Sequence, residues 1–487
     1  MMFIKKSIEK QNQQIVDDFI RKNQSAIKRV IKLPKGYINL LYVPQITDRQ
    51  RLSEHIIEPL IRYINSGGKN YDVEYIASNI VDFDDLDVKD DISVLQDEVL
   101  DGHCVLIMPN SKQFIVFNTK NVAKKGIQDP KIQYTLRGPK DCFNENMDEN
   151  LSLIKYRIKD NNLTIDKFKV GERTKTNVAM IYLTDVVNND CVEKLTERIN
   201  EINVDGVLGS ADLQNSLSQT KWDIFPEFGI AERSDMAIGA VLEGKVIILV
   251  EGSGLVLIAP KTFTEYMTSC DDYYNDKFYG MYSKLLRYVS LFLHLLLAPM
   301  YVAIKSFNTQ LLSGDYTLTL ATLSNATPFN ALTETLIVMF IVELMRECLL
   351  RVPREIGSSI GIVGAVVIGQ SAVTAGVFSP IILIIATLSL LSSFVAPDYI
   401  ITNACRYLNF IIIIMAGTFG IVGVMISMFI LSIKMVSTES FGVPFMAPYA
   451  PWNTSDARKT IIYDRANEQK RPKFLELNDE TRKTPEK

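Results

Sequence analysis

The pattern of hydrophobic and polar positions divides the chain into two unlike parts. Up to about Lys284, short apolar runs alternate with charged and polar residues, as in a globular protein. From Leu285 to Ile433 the sequence holds several apolar runs close to the roughly 20 residues that a helix needs to cross a bilayer. The pattern therefore predicts an α/β soluble N-terminal region followed by an α-helical transmembrane domain.

The soluble region contains two similar halves. The segments YINLLYVPQITDRQRLSEHIIEPLIRYIN and TNVAMIYLTDVVNNDCVEKLTERINEINVD each predict a strand and then a helix with apolar residues at i, i+3 and i+4. Farther along each half, an acidic residue and a glycine precede two more strands. The offset is 140 residues from Tyr42 to Tyr182 and 142 from Gly102 to Gly244. We predict two tandem subdomains that superpose at these positions, although generic α/β patterning could also produce such a match.

Five apolar stretches follow in the membrane region: Val289–Ile304, Leu332–Leu350, Ile356–Phe378, Ile381–Ala396 and Leu408–Ile433. The last is nearly uncharged and predicts one long spanning helix that can tilt. Charges such as Glu334 interrupt the second, and because carboxylates facing lipid cost a few kcal/mol each, this helix must face protein, water or the interface. We expect four full crossings, with the second stretch or the glycine-rich third stretch interfacial or re-entrant.

The expected organisation has four parts. Residues 1–135 form a first cytosolic subdomain, and 136–280 form a linker helix and the second subdomain. Residues 281–452 form the transmembrane domain, and 453–487 a charged, partly disordered tail. The N-terminus has no apolar segment typical of a secretory signal, so we expect the N-terminal region on the cytoplasmic side.

Composition argues against an enzyme. The chain has 52 basic and 56 acidic residues, only 3 histidines, and 6 scattered cysteines without a CxxC pair. Neither a disulfide scaffold nor a zinc site is expected. The sequence holds no phosphate-binding loop, nucleophile elbow, zinc-protease or EF-hand motif. We therefore expect no enzyme activity, no cofactor, no metal and no nucleic-acid partner, and we favour transport, channel or receptor-assembly functions.

Several uncommon strings resemble one known family. RGPKDCFNENMDENLSLIKYRIKDNNLTIDKFKVGERTKTNVAMIYL (Arg137–Leu183) is similar to a segment of the spore germination receptor A subunits, the GerA family. Further matches, in the same order, are Leu242–Lys245, Asp272–Tyr274, Arg346-Glu347 with Arg351 and Pro353, Gly364–Gln370, and Ser440–Pro444. One departure is Ser234, which stands where the family commonly has proline in an Arg-Pro-Asp turn.

The resemblance implies an integral, multi-pass protein of the inner spore membrane. It implies partners as well: a transporter-like B subunit that binds the nutrient, a lipoprotein C subunit, and other copies of this chain in a ring-like ion channel whose opening starts germination. The alternatives are a paralogue that acts with the dipicolinic acid channel and a non-conducting membrane scaffold. A secondary transporter fits less well, because such folds usually repeat within the membrane.

Two groups of residues are candidates for the conduction path. Glu343, Arg346 and Glu347 can share one helix face, where a ring of carboxylates would concentrate cations. The alternative is ordinary pairing of Glu343 with Arg346 and of Glu347 with Arg351. In the glycine-rich stretch, small residues either pack helices closely or leave room for an aqueous path. The candidates there for lining or gating are Gly361, Gly364, Val366, Gly369 and Gln370.

Overall fold

The computed structural model describes residues 13–14, 16–17, 19–21, 26–33, 36–90, 94–109, 111–119, 130, 133, 135, 137–218, 224–325, 327–353, 366, 369–461 and 470–482. It divides the chain into two compact units. The α/β unit comprises residues 1–221, 228–260 and 468–487, and the helical unit comprises 222–227 and 261–467.

The α/β unit contains two five-stranded sheets. The strands of the first are β1 (Ile27–Lys32), β2 (Tyr37–Tyr42), β3 (Leu86–Lys89), β4 (Cys104–Ile107) and β5 (Phe114–Phe117). Those of the second are β6 (Leu163–Val170), β7 (Thr176–Leu183), β8 (Gly229–Ala231), β9 (Val246–Val250) and β10 (Val256–Ala259). The orders are β1-β2-β4-β5-β3 and β6-β7-β9-β10-β8, and all neighbouring strands are antiparallel.

Helices cover these sheets. Around the first sheet lie α1 (Arg49–Arg51), which continues through a π-helical segment (Leu52–Ile57) into α2 (Glu58–Asn65), then α3 (Val73–Asn79) and α4 (Leu95–Leu100). With the second sheet come α5 (Met147–Arg157), α6 (Asn189–Glu201), α7 (Ser210–Leu217) and α8 (Ser234–Leu242). We call β1–β5 with their helices the first repeat, and α5 with β6–β10 and their helices the second repeat.

The two repeats agree in register as well as in strand order. Leu41 lies opposite Val105 in the first sheet, and Ile181 lies opposite Ile247 in the second. The sequence alignment equates Leu41 with Ile181 and Val105 with Ile247, so the two pairs are equivalent. The fold class and the two tandem subdomains are therefore confirmed, whereas the antiparallel pairing was not predicted.

Burial on both faces explains why the strands of the first sheet are continuous apolar runs. Leu40 packs in one cluster with Ile56 and Leu60, and its neighbour Leu41 packs in another with Leu95 and Val99. Successive residues of a strand point to opposite faces, so both faces must be covered by helices for both leucines to be buried.

The helical unit contains seven α-helices within its described residues, together with two 3₁₀ turns and a short hairpin. The helices are α9 (Phe263–Tyr266), α10 (Lys277–Phe307), α11 (Gly314–Asn325), α12 (Ala331–Arg351), α13 (Pro380–Ser393) and α14 (Tyr399–Ser437), before a terminal α15 (Thr454–Ile461). The 3₁₀ turns are Cys270–Tyr273 and Thr309–Leu311, and the hairpin joins β11 (Glu439–Ser440) to β12 (Val443–Pro444). By length and composition, α10 and α14 could cross a membrane, and α13 is a shorter apolar helix.

The last apolar stretch is not the one continuous helix that the sequence predicted. Gly420, inside α14, has φ 62° and ψ −145°, which breaks the helix into two segments. Only glycine adopts such a conformation readily. A Cβ at this position would also lie 3.1 Å from the Cβ of Phe307. Composition predicted the apolar character of the stretch but not the break, and the number of crossings stays a prediction.

The described part of the C-terminal tail belongs to the α/β unit. Residues 470–482 include a 3₁₀ turn (Lys473–Leu475), and the side chain of Leu475 is buried with 2% exposure. The sequence had predicted a separate and partly disordered tail because its composition is charged. The other domain boundaries stay predictions.

Candidate functional site

A buried ion pair joins three helices of the helical unit. Glu334 on α12 is fully buried, and its Oε2 lies 3.1 Å from Nζ of Lys305 on α10. Its Oε1 accepts a hydrogen bond of 2.5 Å from the backbone N–H of Ser379, the residue that precedes α13. Lys305 also donates to the Tyr301 hydroxyl at 3.0 Å. Glu334 therefore faces protein, which is one of the three surroundings that the sequence allowed for this stretch.

An open cleft of about 480 Å³ lies beside this pair. Its lining combines hydroxyl and amide groups with apolar residues: Lys305, Ser306, Thr309, Thr317, Ala321, Asn330, Ala331, Leu332 and Gly417. Packing at its wall is tight, since a Cβ on Gly417 would come within 2.5 Å of the Leu332 side chain. The cleft thus depends on small residues at the contact between α12 and α14.

A second buried polar cluster connects α10, α13 and α14. Nδ1 of His294 lies 3.0 Å from the carbonyl oxygen of Ser389, and the Ser389 hydroxyl donates to the carbonyl of His294 at 3.2 Å. The Asn409 amide donates to the same His294 carbonyl. Within the part of the chain that the structure describes, His294 Nε2 and Asn409 Oδ1 are buried without a hydrogen-bond partner.

The predicted pore carboxylates are paired with arginines. Glu343 forms an ion pair with Arg346 on its own helix, and Nη1 of Arg406 on α14 lies 3.9 Å from Glu343 Oε2. Glu347 pairs with Arg351 at 2.6 Å. Both pairings that the sequence offered as the alternative are therefore formed. The contact with Arg406, 63 positions from Glu343, was not predicted.

The glycine-rich candidates are only partly described. Val366 is helical and 56% exposed. Among the described residues, apart from its chain neighbours and its own helix backbone, no atom lies within 4 Å of a Cβ built on Gly369. The carbonyl of Gln370 accepts from the Thr374 hydroxyl at 2.7 Å. Gly361 and Gly364 lie outside the described residues. The role of this stretch stays a prediction.

The matched string at Asp272 has a structural role at the start of α10. Arg287 donates from Nη2 to Asp272 Oδ1 at 2.9 Å and from Nη1 to the carbonyl of Met267 at 3.2 Å. Asp272 also accepts the backbone N–H of Ser269, at 2.9 Å. These bonds fix the turn that leads into the first long apolar helix.

The departure at Ser234 leaves the adjacent ion pair intact. Arg233 is fully buried and binds Asp235 through two bonds, Nε to Oδ1 at 2.9 Å and Nη2 to Oδ2 at 2.6 Å. Ser234 begins α8, and its hydroxyl donates to Asp141 at 2.8 Å. Burial opposes ionisation of Asp141, but the bonds from Arg157 and Ser234 outweigh it and lower the pKa of this carboxyl. Serine thus starts the helix without proline and adds a bond that proline could not make.

A metal site is not formed by the described residues, among which no three His, Cys, Asp or Glu side chains could hold an ion together. Sequence reasoning missed the Lys305–Glu334 pair and the His294 cluster. The signal for the first was present, because each is an isolated charge within an apolar stretch. The partners of His294 lie 95 and 115 positions away, and no local pattern connects them.

Comparison with known proteins agrees with the family resemblance. Residues 5–474 match the model of the Bacillus/Clostridium GerA spore germination protein family. Spore germination protein B1 of Bacillus subtilis (strain 168) is 31% identical, over 87% of this chain and 87% of that protein. Spore germination protein KA of the same organism is 28% identical over 92% of this chain and 82% of its own length. Spore germination protein GerLA of Bacillus cereus is 29% identical over 91% and 90%.

Among solved structures, the chain is similar to the N-terminal domain of the A subunit of the Bacillus megaterium spore germinant receptor GerK3. The similarity has a TM-score of 0.40 and 23% identity, and it covers 52% of this chain and 94% of that domain. The family match extends over both the α/β unit and the helical unit. The chain belongs to the GerA family of spore germination proteins.

Proposed function

We propose that this chain is the A subunit of a nutrient germinant receptor in the inner spore membrane. Several copies form an ion channel, and its opening triggers germination together with a transporter-like B subunit and a lipoprotein C subunit. Family membership and the names of the relatives support the receptor role. The conducting role depends on the charged face of one helix.

That face lies on α12 and is the observation that carries the proposal. The helix packs Val338 and Met339 inside the unit, whereas the side chains of Glu347 and Arg351 are 57% and 79% exposed. Charged groups exposed to lipid are costly, so in a membrane such a face needs water or another protein surface. A ring of copies around an aqueous path supplies both.

In this arrangement Glu343 and Glu347 repeat around the axis at a cytoplasmic mouth and raise the local cation concentration. Arg346 moderates their charge. The stretch that contains Gly361, Gly364, Val366, Gly369 and Gln370 lines or flanks the constriction, where small side chains leave room for a hydrated ion.

The second candidate is a non-conducting scaffold that anchors the α/β unit and recruits partners. The ion pairs of Glu343 with Arg346 and of Glu347 with Arg351 favour it, because paired carboxylates attract cations weakly. In that case the charged face of α12 is a protein contact and no ion crosses it.

Single-channel recording of the purified protein in bilayers tests the two candidates. We expect cation currents that Glu343→Gln lowers and Val366→Trp blocks, while chemical cross-linking shows the same oligomer for both variants. Gly314→Ala, at the start of α11 and outside the proposed path, is the control and should conduct normally, because among the described residues the added methyl group meets no atom within 4 Å. Normal conductance of the Glu343→Gln protein together with loss of the oligomer would favour the scaffold.

The proposed topology has four full crossings with both termini in the cytoplasm. The basic residues that flank the apolar stretches (Lys284, Arg287, Arg351, Arg354 and Arg406) favour cytoplasmic ends at those points. A cysteine placed at Thr484 should react with a membrane-impermeant reagent only after the membrane is opened. Labelling from outside in intact cells contradicts this topology.

A further inference from the structure

The two repeats carry the same surface, and each surface is covered by a different segment of the chain. Docking surface 1 comprises residues 43–48, after β2, and 101–102, before β4. Docking surface 2 comprises residues 183–188, from the end of β7, and 242–244, before β9. The equivalence is close: Asp48 and Asn188 each accept an N–H of the following helix at 3.0 Å. Gly102 and Gly244 have φ values of 100° and 91°.

Docking surface 1 is covered by the beginning of the second repeat. Lys155 on α5 donates from Nζ to Gln45 Oε1 at 3.0 Å, and the hydroxyl of Ser152 donates to the carbonyl of Gln45. Just beyond α5, Lys159 forms an ion pair with Asp101. The second repeat therefore binds the first repeat through basic side chains directed at these two turns.

Docking surface 2 has no third repeat to cover it, and the C-terminal segment 470–482 covers it instead. Arg471 donates from Nε to the carbonyl of Leu242, the last residue of α8, at 2.9 Å. The backbone N–H of Asn478 donates to the carbonyl of Val186 at 3.1 Å. On docking surface 1 the basic side chain of Lys159 similarly binds next to the glycine turn, at Asp101, which directly follows α4.

Side-chain contacts make this docking specific. Leu475 and Leu477 are 2% and 9% exposed, and a Cβ on Gly244 would lie 2.5 Å from Cδ2 of Leu477. Asn188 donates to the carbonyl of Leu475 at 3.3 Å. The glycine turn thus receives a leucine side chain that no larger residue at position 244 would admit.

Charge fits the same occupant. Docking surface 1 presents the neutral Gln45 to Lys155, and the equivalent residue of docking surface 2 is Asp185. Burial lowers the pKa of Arg471, and the nearby carboxylates of Asp479 and Asp185 oppose that shift. Asp185 therefore adds an attraction for a basic residue at a position where docking surface 1 has a neutral side chain.

We propose that docking surface 2 is a peptide-binding site whose ligand is the chain's own C-terminal segment, which replaces the missing third repeat. The ligand has a basic residue, Arg471, four positions before the first of two leucines. The leucines, Leu475 and Leu477, are two positions apart, and Asn478 directly follows the second. The chain leaves the α/β unit after residue 260 and returns to it at residue 468. The site does not depend on ion conduction.

Hydrogen exchange of the full-length protein in detergent tests this site. Amides in 474–482 should exchange at least about tenfold more slowly than in the free peptide 468–487. Leu477→Glu places a charge against the glycine turn, so it should accelerate exchange about tenfold or more in 470–482 and in 183–188. Residues 101–107 of the first repeat should not change. Lys473→Ala, on the exposed side of the same segment, is the control and should exchange like the parent protein.

Rescue in trans separates docking from damage to the fold. Excess synthetic peptide 468–487, added to the full-length Leu477→Glu protein, should restore slow exchange in 183–188, and a peptide carrying Leu477→Glu should not. The proposal is overturned if 474–482 of the parent protein exchanges as fast as the free peptide. It is also overturned if the parent peptide fails to protect 183–188 while 101–107 remains protected.

Discussion

The α/β unit and the helical unit distribute apolar and polar side chains in opposite ways. In the α/β unit the fully buried side chains are mainly aliphatic and aromatic, such as Leu40 and Phe117. In the helical unit, Phe419 and Phe429 are 60% and 67% exposed, whereas Glu334 is fully buried. The hydrophobic effect places apolar groups away from water, so the difference indicates two different surroundings, water for one unit and lipid for much of the other.

Two buried lysines show the same contrast. Nζ of Lys155, in the α/β unit, binds the neutral amide oxygen of Gln45 at 3.0 Å, and burial, assisted by the charge of Lys167, lowers its pKa to about 7. Nζ of Lys305, in the helical unit, lies 3.1 Å from a carboxylate oxygen of Glu334. Lys155 can be buried beside a neutral oxygen because its amine can release a proton, whereas the charge of Lys305 is stabilised by a carboxylate.

Breaking the buried pair should have the largest effect. Lys305→Met or Glu334→Leu alone leaves one buried charge without a partner, and we expect a loss of about 3–5 kcal/mol in the stability of the helical unit. The double variant should recover most of that loss, because no charge remains. Thermal unfolding in detergent measures all three, and a double variant less stable than both single variants would contradict this account.

Placing a charge on an exposed apolar residue should distinguish the two surroundings. If the side chain of residue 429 faces the bilayer centre, Phe429→Lys should make the free energy of membrane insertion less favourable by about 2.5–3.5 kcal/mol. Ile61→Lys is the matched change in the α/β unit, where the side chain is 38% exposed, and it should alter stability by no more than about 0.5 kcal/mol. Insertion is read from glycosylation of a reporter fusion. If Phe429→Lys impairs the protein no more than Ile61→Lys does, the side chain of Phe429 does not face lipid.

Glycines of the helical unit should differ according to backbone conformation. Gly420→Ala should destabilise the unit by about 1–3 kcal/mol, because residue 420 has φ 62° and its Cβ would meet Phe307. Gly369→Ala should be neutral or slightly stabilising, since among the described residues outside its own helix backbone the added Cβ meets no atom within 4 Å. Detergent thermal shifts of the two variants provide the comparison. A stable Gly420→Ala protein would show that α14 can straighten.

The last prediction concerns a gradual effect: Lys155 should make the free energy of unfolding of the α/β unit depend on pH. Its pKa is about 7 when folded and about 10.4 when unfolded, so between these values the unfolded state binds more protons. Stability should therefore rise with pH across that window, by at most about 1.4 kcal/mol per unit, and level off above it. Lys155→Met should flatten the rise. Urea unfolding followed by circular dichroism from pH 6.5 to 9.5 tests this, and an unchanged slope in the variant would exclude Lys155 as the cause.

The sequence by itself determined the division into two units and the repeat. Both are local patterns: a strand or helix shows its period within about ten residues, and a repeat shows itself as the same order at a fixed offset. The offsets of the aligned positions also agree with the structure, in which Leu41 with Val105 and Ile181 with Ile247 are equivalent pairs, although the sequence did not predict which strands pair. The ion pairs within α12 were also predictable, because residues three or four apart on a helix are neighbours.

The tertiary structure alone decided which distant groups meet. Periodicity shows that Glu334 or His294 faces inward but cannot identify Lys305 or Asn409 as the partner, because each partner belongs to another helix whose rotation and depth are set by packing. At the break in α14, a Cβ on Gly420 would lie 3.1 Å from the Cβ of Phe307, which belongs to another helix. The tail was expected to be partly disordered because it is charged. Its described residues 470–482 contact docking surface 2, about 290 residues earlier in the chain, which buries Leu475 and Leu477.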